Sequence, residues 1–519
     1  MLQDHTAQFE TFSQRNGLPP RTSWAAQNQL DPGSIAHARS MPDAKSIYFS
    51  LLESEAGPTA SGLQGSRIFL QRQLAQAAEL PCDLPDEEFL GEWIIEQATA
   101  VGRQYREYLD QRQAGAPRRY FSNKSHALYF LRSAAPTKLV DGAWLYGLLE
   151  HWNDARYAPL IRIYLDELGE GESEKNHVAL YRNLLASHGC DQWHDLDADY
   201  FTQGAIQLAL AHHTAEFLPE VIGFNLGYEQ LPLHLLITAY ELNELGIDPY
   251  YFTLHITVDN AATGHARKAV QAVIDAMPRH DRAAFFQRVK NGYQLNELGT
   301  GTTAIIASFD LEQALLSVFK SKAALGALMH SDYCRIDGKT VTEWLVDPGQ
   351  LPAFLASLEK MGWIKRNQDP ELSRFWKLIH GERAAMFGVF SPYEQQLIHD
   401  WIAGEWTEQA RAGTRKPLTF NARRRLLETL GSNNGKAQDN HTAPEVTNAR
   451  PSSRQNVLHY RSDSDNDEFH TESHMLEKQL DVTRSKAEAM NVLAGYMSPS
   501  QHHTAIGMLA TRKFAQLFN

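Results

Sequence analysis

Between Arg118 and Leu325 apolar residues recur at three- and four-residue steps, with only short interruptions. That spacing marks amphipathic helices. The interruptions fall at Pro136, Gly169-Glu170-Gly171, Gly189, Pro219, Gly246-Ile247-Asp248-Pro249 and Pro278. Proline and glycine at such points stop or redirect a helix. Alternating strand-like patterns are scarce. The stretch therefore predicts an all-α fold, a helical bundle of about seven helices with His, Glu and Asp on some inward faces.

The same pattern divides the rest of the chain. Residues 1–62 are polar and predict a flexible N-terminal segment. Residues 63–117 predict two helices, one over Ser66–Glu79. The other follows Pro85-Asp86 and carries Phe89, Leu90, Trp93, Ile94, Ala98, Val101 and Tyr105. Residues 118–325 are the main helical domain. Residues 326–430 predict a helical extension, with a turn at Gly338, a capped helix and a short strand at Gly362-Trp363-Ile364. Residues 431–474 are rich in Asn, Ser, Asp and His and predict a disordered linker. Residues 475–519 predict a short helical tail. Both ends, 1–60 and 432–519, are expected to be dispensable for the chemistry.

Composition narrows the function classes. A formal net charge of −13 and no basic stripe with interleaved aromatics argue against nucleic acid as a partner. The short Arg423–Arg425 run reads as a solvated helix face. Three widely spaced cysteines, Cys82, Cys190 and Cys334, exclude a disulfide framework and a thiolate zinc motif. The N-terminus carries no secretory signal, and no apolar run reaches membrane-spanning length. The expectation is a cytoplasmic protein with no membrane partner. Walker, GxGxxG and GxSxG motifs are missing, so nucleotide, nicotinamide and serine-hydrolase mechanisms have no support.

Three clusters in the main domain carry metal-capable side chains. In the first, Glu167 ends one helix, Gly169 and Gly171 break it, and His177 opens the next. The second contains Glu229, nine residues after Glu220. On an unbroken helix the two lie on opposite faces. With Glu220 assigned to a solvated first turn, Glu229 points among Phe224, Leu226, Tyr228, Leu231 and Leu233, where a carboxylate needs a partner or a metal. The third pairs His255 with Asp259, four apart and so on one helical face. His265 is six residues beyond Asp259, which turns it away on a regular helix. It joins the others only if the helix is distorted, and Gly264 is the place for that. Each cluster also has a structural reading: an acidic turn, a buried carboxylate, an exposed helical pair. Imidazoles with carboxylates suit iron or manganese better than zinc or calcium. His212-His213 and the His330–Cys334 stretch are weaker candidates.

Taken together, Asp166–Tyr181 (DELGEGESEKNHVALY), Pro219–Glu229 (PEVIGFNLGYE) and Tyr250–His265 (YYFTLHITVDNAATGH) resemble the haem-oxygenase-like di-iron oxidases and oxygenases, the iron-containing redox enzymes. The resemblance covers about residues 120–325 and implies a haem-oxygenase-like helical bundle. It implies two Fe(2+) ions and dioxygen as co-substrate, with Glu167, His177, Glu229, His255, Asp259 and His265 as metal ligands. The family's last histidine normally follows the aspartate by three or four residues, so His265 is an imperfect match. The family also supplies a carboxylate from an earlier helix, here Asp141, with Glu150 as the fallback. Asp141 could equally cap the helix that follows it. Members oxidise amines, amino acids or fatty acids, often in natural-product pathways.

The implied partner is a small-molecule substrate, with a homodimer left open. Tyr228, Tyr240, Tyr250, Tyr251 and Phe252 read as core or as pocket lining. Two other readings stand beside this one. One is a non-catalytic helical scaffold that binds a partner. The other is a haem-binding or haem-degrading enzyme with His126 as the axial ligand.

Overall fold

The computed structural model describes residues 42–52, 57–259, 264–326, 330, 333–406 and 463–519. The expected flexible segment up to residue 41, the Arg423–Arg425 run and the expected linker from 431 to 462 lie outside these residues. The described chain is all-α, with one two-stranded hairpin among the described residues. No single described helix is long and apolar enough to cross a membrane. The chain divides into two compact units. The first takes residues up to Ala314 with Ser391–Tyr393 and Asp467–Asn519, and the second takes Leu315–Phe390 and Glu394–Asn466.

In the first unit the bundle splits into more and shorter helices than the periodicity suggests. Local chemistry sets the breaks. Asn123 caps the helix Lys124–Lys138 by accepting the His126 amide hydrogen at 2.9 Å. Helix Thr214–Tyr228 kinks at Phe217, two residues before Pro219. A proline here has no amide hydrogen to give and crowds the preceding turn. This helix lies along Arg282–Gln294. The two backbones touch at Gly223, where a Cβ would stand 1.9 Å from the Val289 carbonyl oxygen.

Glu220 departs from expectation at this crossing. It is 2% exposed rather than solvated. Both its oxygens accept from the Arg288 guanidinium at 2.6 Å. The reason is tertiary: the close crossing brings Arg288 of the facing helix over it. A second buried carboxylate, Glu241, accepts from the Tyr108 hydroxyl at 2.7 Å and the Phe121 amide at 2.9 Å. It holds the chain entering the bundle.

The ends also differ from the sequence reading. Residues 44–52 and 60–77 are helical. A helix runs from Asp463 to Asp481, from the end of the stretch read as linker into the tail. The tail is not peripheral. Helices Lys486–Tyr496 and Ala505–Phe518 bury Met490, Leu493, Ile506, Ala510 and Phe514. The Tyr164 hydroxyl donates to the Met497 carbonyl at 2.5 Å, and Arg512 donates to the Gly171 carbonyl at 2.7 Å. These contacts speak against dispensability for residues 475–519 of the expected 432–519. Their few apolar residues suffice because they complete a core that other helices have begun.

In the second unit Arg335–Ile336 pairs antiparallel with Lys339–Thr340 around Asp337-Gly338. Both turn residues have positive φ, 48° and 84°, as a two-residue hairpin turn of this hand requires. Thr340 and Glu343 form a capping box at Val341–Leu345. The strand expected at 362–364 is instead a turn. The Gly362 and Trp363 amides close the end of helix Leu351–Lys360 on Glu359 and Leu358, both at 2.9 Å.

Candidate metal centre

The first side chains of the site come from the turn between helices Ala158–Glu167 and His177–His188. Glu167 closes the first helix and His177 opens the second. Between them Glu170 takes a left-handed conformation, φ 51°. Asn176 ties the turn together. Its carbonyl oxygen accepts the Ala179 amide at 3.0 Å, capping the second helix, and its amide donates to the Leu168 carbonyl at 3.2 Å. As a result Glu167 Oε2 and His177 Nδ1 are in contact.

Asp141 reaches them from the end of helix Lys124–Lys138, just before a 3-10 segment, Ala143–His151. Its side chain makes no helix cap. Gly142 follows at φ 79°, and a Cβ there would lie 2.8 Å from Glu167 Cβ. Only glycine lets the two acidic residues approach this way. Asp141 Oδ2 lies 3.3 Å from His255 Nε2 and 3.9 Å from His177 Nδ1. The Tyr228 hydroxyl donates to Asp141 Oδ1 at 2.8 Å, and the Tyr251 hydroxyl to Oδ2 at 2.5 Å. Lys138 Nζ in turn donates to the Tyr228 hydroxyl at 2.9 Å. Glu150, the fallback, sits at the far end of the 3-10 segment and joins neither metal-capable group.

Glu229, Asp259 and His265 approach from the other side. Glu229 caps the C-terminal end of helix Thr214–Tyr228. Asp259 caps helix Tyr250–Val258, with its amide on the His255 carbonyl at 2.9 Å. His265 begins a new helix, His265–Ala276, for which Gly264 is the extended N-cap. The angular objection to His265 disappears, because His265 and Asp259 do not share a helix. His265 Nδ1 lies 3.0 Å from Glu229 Oε2, 3.3 Å from Asp259 Oδ1 and 3.5 Å from Glu167 Oε1.

All seven candidate residues thus meet, and none is more than 5% exposed. Their ligand atoms form two groups, each within 4.8 Å. One is Asp141, Glu167, His177 and His255, and the other is Glu167, Glu229 and His265. Glu167 belongs to both, and Asp259 borders the second. The residues fit metal ions on a further observation. Glu229 Oε1 is buried without a hydrogen-bond partner among the described residues, and Glu167 Oε2, His177 Nδ1 and Asp259 Oδ1 meet only other members of the cluster, in contacts that lack hydrogen-bond geometry. Buried polar atoms are normally satisfied, and leaving a charged one unmet is costly. Carboxylate oxygens and imidazole nitrogens without thiolates are a donor set that suits iron or manganese.

Electrostatics point the same way. Burial pushes the Glu229 carboxyl up to about 8, with Asp259 and Glu167 adding to the rise against His265. Burial would also raise Asp141, but Lys138, His255 and His177 outweigh it and hold Asp141 below the ordinary range. Burial alone would lower His255, yet Asp141, Asp259 and Glu167 lift it to about 9. His265 is raised against its burial by Glu229, Asp166 and Asp259. The raised histidines and the raised Glu229 each feel an excess of neighbouring carboxylate charge, whereas Asp141 feels the cations beside it. Four carboxylates there call for cations.

With the geometry in view, the comparison with known proteins is specific. Residues 128–297 match the iron-containing redox enzyme family. The likeness read from the three motifs holds over that segment, and all seven candidate residues lie within it. The all-α architecture agrees with a haem-oxygenase-like fold. The matched segment contains the buried carboxylate–histidine cluster. Neither a curated protein nor a solved structure matches the chain.

The sequence reading missed several supporting residues. Tyr228 and Tyr251, taken as core or pocket lining, hold Asp141 by hydrogen bonds. Asp166, quoted only as a neighbour of Glu167, contacts His265. Asn176 meets His502 of the tail, with 3.2 Å between amide nitrogen and Nδ1. The His502-His503 doublet in an otherwise polar tail was the one signal that could have drawn attention to the last contact. His212 is buried outside the cluster, and His213 meets Ser66 at 2.9 Å. His330 and Cys334 join no metal-capable group among the described residues.

Proposed function

We propose that this centre holds two Fe(2+) ions and that the protein is a non-haem di-iron oxidase or oxygenase. Its substrate class would be a small amine, amino acid or fatty-acid-like molecule, oxidised with dioxygen as co-substrate. The observation that carries this reading is the position of Glu167, common to two adjacent groups of buried ligands. One carboxylate shared between two sites is the arrangement a paired metal centre needs. Asp141, Glu167, His177 and His255 would hold one ion. Glu167, Glu229 and His265 would hold the other, with Asp259 beside them.

Bound iron would supply the electrons that activate dioxygen. The chain supplies the rest. Tyr228 and Tyr251 fix the rotamer of Asp141, and Lys138 places a cation next to that carboxylate. Trp144 and Phe224 pack on Tyr228 and Tyr181 packs on Tyr251, all three fully buried, so the two tyrosines that hold Asp141 are backed by apolar rings. The turn at Asn176 keeps Glu167 and His177 at a fixed separation, so both can act without reorganising.

The haem reading needs His126. Its Nδ1 meets the Ser122 amide at 3.2 Å and its Nε2 the Ile306 carbonyl at 2.9 Å. With both nitrogens engaged and the ring stacked 4.5 Å from Phe309, it is built into the core. The test is an iron assay with a visible spectrum on protein loaded anaerobically with Fe(II). Two irons per chain and no Soret band are expected. A Soret band would establish haem instead, and a protein that takes up no iron would leave only the scaffold reading.

A further inference from the structure

We propose that Asp166 is a positioning residue that sets which nitrogen of His265 faces the metal centre. The inference rests on the reading of the centre given above. His265 Nε2 lies 3.1 Å from Asp166 Oδ2, while Nδ1 on the opposite side of the ring faces Glu229, Asp259 and Glu167. A neutral imidazole carries one hydrogen, and the nitrogen without it is the one that binds a metal. Asp166 can only accept from Nε2. It therefore draws the hydrogen there and leaves the Nδ1 lone pair to the cluster.

Asp166 is itself anchored. Lys268 Nζ donates to the same Oδ2 at 2.6 Å. Lys268 is three residues after His265, on the same helical face. The two residues thus grip one carboxylate between them, and the start of helix His265–Ala276 is tied to the end of helix Ala158–Glu167. Asp166 is also the chain neighbour of Glu167, the residue common to both ligand groups. Asp166 turns outward to the lysine while Glu167 turns inward, so one helix end serves both purposes. Asp166 is about one-third exposed, at 32%, and Lys268 is similar at 31%. Neither belongs to the buried cluster.

His255 is held the other way round. Its Nδ1 lies 2.9 Å from the Tyr251 carbonyl, and Nε2 faces Asp141. His255 and His265 therefore present opposite imidazole nitrogens to the cluster. One is fixed by a backbone carbonyl and the other by a side chain that mutation can remove. A carboxylate partner also raises the basicity of a ligating histidine.

The test is an anaerobic Fe(II) titration against a competing chelator, resolving the two binding steps. Asp166→Ala should weaken one of the two ions by about 10–100-fold and leave the other unchanged. Asp166→Asn, whose amide oxygen can accept the same hydrogen, should recover part of that loss. Lys268→Met should weaken the same ion by less. In Zn(II)-loaded wild-type protein, nitrogen-15 histidine NMR should place the His265 hydrogen on Nε2. That measurement stands even where Asp166→Ala fails to fold. A hydrogen on Nδ1, or an Asp166→Ala protein that binds both ions like wild type, would overturn the role of Asp166 alone. A wild-type protein that binds fewer than two ions would overturn the reading of the centre on which it rests.

Discussion

Asn176 and His502 stand 326 residues apart in the chain and meet in the core, with 3.2 Å between the asparagine amide nitrogen and His502 Nδ1. Asn176 is the residue that ties the turn between Glu167 and His177. The C-terminal helices therefore buttress one edge of the candidate metal centre.

Removal of residues 483–519 is expected to unfold the first unit or strip its iron. Phe514→Ala, a milder change at a fully buried ring, should cost about 3–5 kcal/mol of stability. Urea denaturation followed by circular dichroism measures it. A truncated protein that keeps wild-type stability and iron content would show that the tail only rests on the surface.

His255→Ala and Asp259→Ala should each lose at least one iron while keeping near-wild-type helical circular dichroism. His265→Ala should do the same. Iron assay after desalting gives the answer, and normal content in these variants would remove them from the ligand set.

The Glu220–Arg288 pair gives a control outside the centre. Arg288→Ala leaves a buried carboxylate without its partner and should cost about 3–5 kcal/mol, whereas a combined Glu220→Leu and Arg288→Met change should cost far less. Iron content should stay normal in whatever folds. Equal losses in the single and double variants would mean that shape, not charge, dominates at this crossing.

Glu150 should make stability fall with rising pH. Its carboxyl is half-buried, and burial pushes it up to about 8 from the ordinary 4.5. Below pH 4.5 it is protonated in folded and unfolded chains alike, and nothing is lost. Between 4.5 and 8 the folded chain holds a proton that the unfolded chain releases, so stability declines, and above 8 the decline ends. Glu150→Gln should therefore match wild type near pH 4.5 and exceed it by ~2 kcal/mol at pH 9. Denaturation curves at the two pH values decide it. A constant difference would mean that the carboxyl titrates alike in both states.

The helical class and the first candidate ligands were legible in the sequence because they depend on local spacing. Apolar steps of three and four give helices, and two glycines after Glu167 give the turn that His177 leaves. His255 and Asp259, four apart, share a helix face and its end. What lies beyond one or two helical turns was decided by tertiary packing. Glu220 was read as solvated because nothing in its own helix pairs it, and Arg288 comes from another. His265 was read as facing away because angular arithmetic assumes one continuous helix, whereas Tyr250–Val258 ends and a new helix starts at His265. The tail was read as expendable because its own apolar residues cannot make a core, yet they finish one. The order in which Asp141, Tyr228, Tyr251 and Lys138 connect is likewise invisible along the chain. Hydrogen bonds between distant residues depend on where helices cross, and the crossing is set by the whole packed bundle rather than by any segment of it.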